Sequence, residues 1–126
     1  MNKKIKFNIS EAEWKVMKVL WKKYPLTSNE VVERLSGDAN WHPNTIKTML
    51  TRLVDKGALR YEKEGRERLF SPLRTEAECI QEESESFLKR VFAGAVRPMV
   101  AYFVKNQKLT PEDIRELEQI LRSKGK

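Results

Sequence analysis

The sequence is short of the residue types from which most enzyme and metal sites are built. It has one cysteine, Cys79, and one histidine, His42. A lone cysteine closes no internal disulfide, and one Cys plus one His fall short of the ligand set of a zinc site. A Ser-His-Asp arrangement would have to run through His42, which sits between Trp41 and Pro43 at a helix start. Neither a Gly-rich phosphate loop nor a nucleophile elbow is present, and no acid/base pair or nucleophile has a convincing activator. No catalytic, metal or cofactor site is therefore expected. Five Gly and five Pro in 126 residues argue against long disordered tracts. No run approaches the roughly 18 consecutive apolar residues of a membrane helix, and the Met1-Asn-Lys-Lys start has no apolar signal region behind it. A cytoplasmic location is the expectation.

What the sequence has is positive charge, unevenly placed. Lys and Arg number 25 against 18 Asp and Glu, a net charge of +7. Residues 1–74 hold 16 basic and nine acidic side chains, whereas residues 75–126 hold nine of each. The whole excess lies in the first part, which suits a polyanionic partner.

Four helix starts share one chemistry, a hydroxyl that accepts from exposed backbone N–H groups with an acidic residue three positions on: Ser10/Glu13, Thr27/Glu30, Thr75/Glu78 and Thr110/Asp113. Helix one is expected from Ser10 to Tyr24, where Pro25 stops it, with Trp14, Met17, Trp21 and Tyr24 at helical spacing. A short extended piece at Leu26 precedes helix two, which carries Val31, Val32 and Leu35 and ends at Gly37. After Gly37-Asp38-Ala39-Asn40, Pro43 opens helix three, and Gly57 ends it. Two short strands, Leu59–Lys63 and Arg68–Ser71, flank a charged tip at Glu64–Glu67 and read as a β-hairpin. Three helices followed by a hairpin is the order of a winged helix-turn-helix.

The remainder is helical. Thr75 to Phe92 forms one helix and Gly94 breaks it. Pro98 is tolerated only in the first turn of the next helix, and Pro111 opens a last one reaching about Ser123. The fold class expected is mainly α with a small β-hairpin wing, divided into a winged helix-turn-helix domain at 1–74 and a helical dimerisation domain at 75–126.

On a wheel of 100° per residue, Ile46, Met49, Leu50, Leu53 and Val54 of helix three share an arc of about 140°. The outward set is Asn44, Thr45, Lys47, Thr48, Thr51, Arg52 and Asp55. Three Thr and an Asn are poor choices for a merely solvated face, where Glu, Lys and Gln favour the helix. Hydroxyl, amide and methyl groups flanked by cations suit base edges and phosphates of a major groove. Residues His42, Asn44, Thr45, Lys47, Thr48, Thr51 and Arg52 are thus candidates for DNA recognition. Lys63, Arg66 and Arg68 are candidate wing contacts to the backbone or minor groove, diluted by Glu62, Glu64 and Glu67. Lys3, Lys4 and Lys6 offer a further basic arm, with a solvated terminus as the alternative.

In the second part, Phe87, Val91, Val96, Met99, Val100, Phe103, Val104, Ile114, Leu117, Ile120 and Leu121 are more apolar surface than 52 residues bury easily alone. A second copy covers it and matches a palindromic DNA site; packing back onto the first part is the alternative.

These residues resemble a known family. Ile9-Ser-Glu-Ala-Glu-Trp-Lys-Val-Met-Lys-Val-Leu-Trp, Trp41-His-Pro-Asn-Thr-Ile-Lys-Thr-Met-Leu-Thr-Arg-Leu, Lys56-Gly-Ala-Leu and Glu64-Gly-Arg look like the penicillinase repressors of BlaI and MecI type, over nearly the whole chain. The resemblance implies a homodimeric repressor that occupies operator DNA and blocks transcription of a resistance gene. It also implies a regulatory membrane sensor-protease whose signal leads to cleavage in the C-terminal part, at a site aligning with Tyr102-Phe103-Val104. Tyr102 stands where the family has asparagine, and His42 where it commonly has a capping serine. Copper-responsive relatives carry a C-terminal cysteine cluster that Leu121-Arg-Ser-Lys-Gly-Lys lacks. A protein-interaction adaptor without sequence-specific DNA binding is the alternative reading, since the fold alone does not decide function.

Overall fold

A computed structural model describes residues 8–36 and 41–125. Its elements are α1 (Glu11–Lys22), α2 (Ser28–Leu35), α3 (Pro43–Asp55), β1 (Leu59–Glu64), β2 (Glu67–Pro72), α4 (Glu76–Phe92), α5 (Val96–Asn106) and α6 (Pro111–Lys124). The fold is mostly helical with one antiparallel hairpin, as expected from the sequence. Residues Gly37–Asn40, read as the turn after helix two, and Lys3, Lys4 and Lys6 lie outside the described residues.

All four hydroxyl–acid pairs form reciprocal capping boxes: Ser10 with Glu13, Thr27 with Glu30, Thr75 with Glu78 and Thr110 with Asp113. Two helices are shorter than their periodicity suggests. α1 stops at Lys22, and Lys23 is already extended (φ −152°, ψ 127°), two residues ahead of Pro25. α2 stops at Leu35 with Ser36 as its cap, ahead of Gly37. At the end of α3, Gly57 takes φ +86°, its N–H donates to Val54 O at 3.0 Å, and that of buried Ala58 donates to Leu53 O at 2.9 Å. This is a Schellman ending, and only glycine adopts its backbone without strain.

The chain divides into two compact units, Met1–Glu82 and Glu83–Lys126. In the first, Val16, Met17 and Leu20 of α1, Val31 and Leu35 of α2, and Ile46, Met49, Leu50 and Leu53 of α3 form one core with Leu59 and Phe70 of the hairpin. Leu26 makes an antiparallel bridge to Phe70, with N···O distances of 3.1 and 2.8 Å, which fixes β2 to the α1–α2 connection. The start of α4 belongs to this unit. Trp21 Nε1 donates to Arg74 O at 2.9 Å, Lys18 pairs with Glu76 at 2.8 Å, and Cys79 is buried. Burial pushes the Cys79 thiol up, the direction of an unreactive cysteine.

In the second unit, Phe87 packs on Phe92 and Phe103, with ring centroids 5.9 and 6.3 Å apart. Gly94, at φ +82°, ends α4, and Pro98 falls in the first turn of α5. α5 and α6 contain no buried residue.

One charged group lies inside the first core. Glu13, 2 % exposed, accepts from the Ser10 N–H at 2.9 Å and from Nζ of Lys56, the C-cap residue of α3; Lys56 also donates to Asn8 O at 2.6 Å. The carboxylate thus ties the start of α1 to the end of α3. Burial pushes the Glu13 carboxyl up, but the bonds from Lys56 and Ser10 outweigh it, and the net pKa lies below the usual carboxylate value. Stability from this pair is therefore complete above the ordinary carboxylate range and is lost as pH falls through the lowered value. Glu13→Gln is expected to cost about 1–2 kcal/mol at neutral pH and much less in acid. Urea unfolding near pH 7 and near pH 3 measures both, and an equal loss at the two would contradict the charge-based account.

Candidate nucleic-acid interface

α3 presents its sequence-predicted face to solvent. His42, Asn44, Thr45, Lys47, Thr48, Thr51 and Arg52 are all exposed, while Ile46, Met49, Leu50 and Leu53 are buried. Thr48 Oγ1 donates to Asn44 O at 2.9 Å and Thr51 Oγ1 donates to Lys47 O at 3.2 Å. Each bond uses the hydroxyl's proton on the helix itself and leaves its lone pairs and methyl group facing outward. The two threonines therefore offer acceptors and apolar contact, matched to exocyclic amines and thymine methyls.

His42 is the N-cap of α3, and its Nδ1 accepts from the Asn44 N–H at 3.1 Å. An acceptor at Nδ1 leaves the ring proton on Nε2, which points away from the capped amide as a donor. The imidazole thus does the work of the hydroxyl at the other caps and keeps one polar group for a partner.

The hairpin, through its register, removes part of the expected dilution of the wing. Its strands extend over 59–64 and 67–72, longer than anticipated, so only Gly65 and Arg66 form the tip, with Gly65 at φ +66°. Arg68 lies within β2, paired with Lys63. Opposed residues share a face, and so do residues two apart. The register pairs Tyr61 with Phe70 and Lys63 with Arg68 on one face, and Glu62 with Leu69 and Glu64 with Glu67 on the other. Glu62 and Glu64 thereby leave the face of Lys63 and Arg68, while Glu67 still lines the groove beside Arg66 and Arg68. Arg60, on the acidic face, pairs with Glu62 at 3.3 Å.

A groove of about 320 Å³ joins these parts. Lys47, Leu50 and Thr51 of α3 form one wall, Arg66, Glu67, Arg68 and Phe70 of the hairpin a second, and Thr27, Ser28 and Asn29 of α2 a third. Lys47, Thr51, Arg66 and Arg68 are thus brought together. His42, Asn44, Thr45, Thr48, Arg52 and Lys63 lie outside the groove lining. Ser28 and Asn29 were not anticipated, although a signal existed: the Thr27 capping box locates a helix start, whose free N–H groups and dipole favour a phosphate. Among the described residues, no group of three or more His, Cys, Asp or Glu is placed to hold a metal, and no helix is long and apolar enough to cross a membrane.

Residues 9–123 match the family described as penicillinase repressor. The penicillinase repressor of Bacillus licheniformis is 47 % identical over 113 residues, 90 % of this chain and 88 % of that protein. The methicillin resistance regulatory protein MecI of Staphylococcus aureus strain N315 is 32 % identical over 118 residues, 94 % of this chain and 96 % of that protein. Among solved structures, the B. licheniformis BlaI monomeric form in complex with the blaP half-operator superposes with a TM-score of 0.52 at 48 % identity, covering 61 % of this chain and 93 % of that one.

The cap geometry is testable by itself. His42→Ala is expected to lower stability by about 1 kcal/mol, and His42→Ser to leave it unchanged or raise it slightly. Thermal unfolding of the two variants decides this, and an unchanged His42→Ala would mean that the capping bond carries no stability.

Proposed function

Since the chain belongs to the penicillinase repressor family, a family of transcriptional repressors, we propose that it acts as a homodimer on palindromic operator DNA through the α3 face and the cationic face of the hairpin. The observation that carries this is the single groove bordered by Lys47 and Thr51 on one side and Arg66 and Arg68 on the other. Asn44, Thr45, Thr48 and Thr51 read base edges; Lys47, Arg52, Lys63, Arg66, Arg68 and His42 hold the backbone. The functional division remains 1–74 for DNA binding and 75–126 for dimerisation, and a cytoplasmic location goes with a chromosomal target.

Exposure of the second unit's apolar side chains supports the dimer. Val91, Val96, Val100, Phe103, Val104, Ile114, Leu117, Ile120 and Leu121 are between 40 and 63 % exposed, a surface that a second copy would remove from water, with Phe87 and Met99 half-buried beside it. A two-fold interface also spaces two reading heads for a palindrome. Release by a membrane sensor-protease at Tyr102–Phe103 belongs to the same reading. Both side chains are exposed, and the peptide lies inside α5, with Tyr102 O accepting from Asn106 Nδ2 at 2.8 Å, so the helix must open before a protease can bind it.

Mobility shifts on the DNA upstream of the chain's own gene test this directly. Specific binding is expected to fall steeply with salt and to be abolished by the double change Lys47→Ala and Arg52→Ala. Equal affinity for random duplex, or specific binding that survives both changes, favours the protein-interaction alternative. Truncation after Glu82, which keeps the start of α4 with its core, is expected to give a folded monomer with much weaker operator binding. Undiminished affinity in that fragment would remove the case for the dimer.

A further inference from the structure

The cationic face of the hairpin carries a chain of three contacting side chains. Phe70 is buried in the core, the Tyr61 ring lies 5.8 Å from it between centroids, and the Arg68 guanidinium carbon stands 4.5 Å from the centre of the Tyr61 ring. The register explains the contact: Tyr61 is paired with Phe70, and Arg68 is its diagonal neighbour on the same face. Tyr61, 38 % exposed, reaches from the core to the water and gives the guanidinium a platform fixed at its far end. A planar cation over an aromatic face is held by the ring quadrupole while its N–H groups stay available at the edge. The carboxylates of Glu62 and Glu64, adjacent in sequence, lie on the other face of the ribbon. An arginine on an exposed two-stranded ribbon otherwise samples many rotamers, and ordering it on binding costs affinity.

We propose that Tyr61 is a positioning residue for DNA recognition: its ring holds the Arg68 guanidinium, ordered and unneutralised, at the rim of the α3 groove to meet a phosphate of the duplex backbone. The role rests on the DNA-binding reading above and adds a residue that makes no contact with DNA itself. Arg68 borders the groove with Lys47 and Thr51, so the phosphate it holds neighbours the base pairs that α3 faces. Tyr61 thereby couples the hydrophobic core, through Phe70, to the register of the protein on its site.

The test uses the full chain and two duplexes of equal length, one from upstream of its own gene and one scrambled, with affinity read by fluorescence anisotropy across a salt series. Tyr61→Leu is expected to weaken binding to the upstream duplex about three- to tenfold, and Tyr61→Phe to stay within about twofold of the unaltered chain. In an Arg68→Ala background, Tyr61→Leu is expected to cause no further loss, because the interaction is already gone. Arg68→Lys, which keeps the charge and leaves the core untouched, is expected to lose as much as Tyr61→Leu at an unchanged unfolding temperature. Additive losses for Tyr61→Leu and Arg68→Ala, or an Arg68→Lys variant that binds normally, overturn the positioning role while the DNA-binding reading stands. Failure of the unaltered chain to distinguish the two duplexes overturns that reading, and the role of Tyr61 with it.

Discussion

The dry inner face of α3 is the constraint on which the rest of the first unit depends. Ile46, Met49, Leu50 and Leu53 are each at most 4 % exposed, and they meet α1, α2 and the hairpin in one core. Burying a side chain of this size stabilises by about 1.5–3 kcal/mol, so rotating the helix to bury Asn44, Thr48 or Thr51 instead would forfeit several such terms and strand polar groups. The outward face is therefore determined by what the inward face cannot give up. Both ends of the helix are held as well. His42 caps the start, the Gly57 turn closes the end, and Lys56 just beyond it is tied to Glu13 of α1.

Charge in this protein is organised by pairing as much as by number. Several cations of the basic part are occupied within the fold: Lys56 on buried Glu13, Lys18 on Glu76, Arg60 on Glu62. The hairpin divides the rest by strand alternation, collecting Lys63 and Arg68 on the face with Tyr61 and setting Glu62 and Glu64 on the other, with Glu67 at the groove. The exposed face of α3 is mostly neutral, so under the proposed function the net charge would set affinity and its salt dependence, and the threonines and asparagine the discrimination between sequences.

The two units differ in how far they complete themselves. The first buries a contiguous core and satisfies the buried carboxylate of Glu13. The second buries no residue of α5 or α6, and its internal packing centres on Phe87 with Phe92 and Phe103. Small units have little apolar burial to spare, which makes association with another surface the natural completion of this one.

Much of the fold was legible in the residues. Capping pairs, the stop before Pro25, the Gly57 ending and the 3.6-residue stripe of α3 are local, because each rests on hydrogen bonds or steric limits within a few positions. So was the polar composition of the α3 face, which follows from the same periodicity. The sequence also showed which residues were charged, but not which charges would face the same way. The bridge from Leu26 to Phe70 and the pairing of Glu13 with Lys56 join positions 43 or more apart, and they depend on burial that only the assembled core supplies. For that reason the groove, its α2 wall of Ser28 and Asn29, and the Tyr61 platform beneath Arg68 were decided by the tertiary structure: the core sets the distances between elements that no local rule connects.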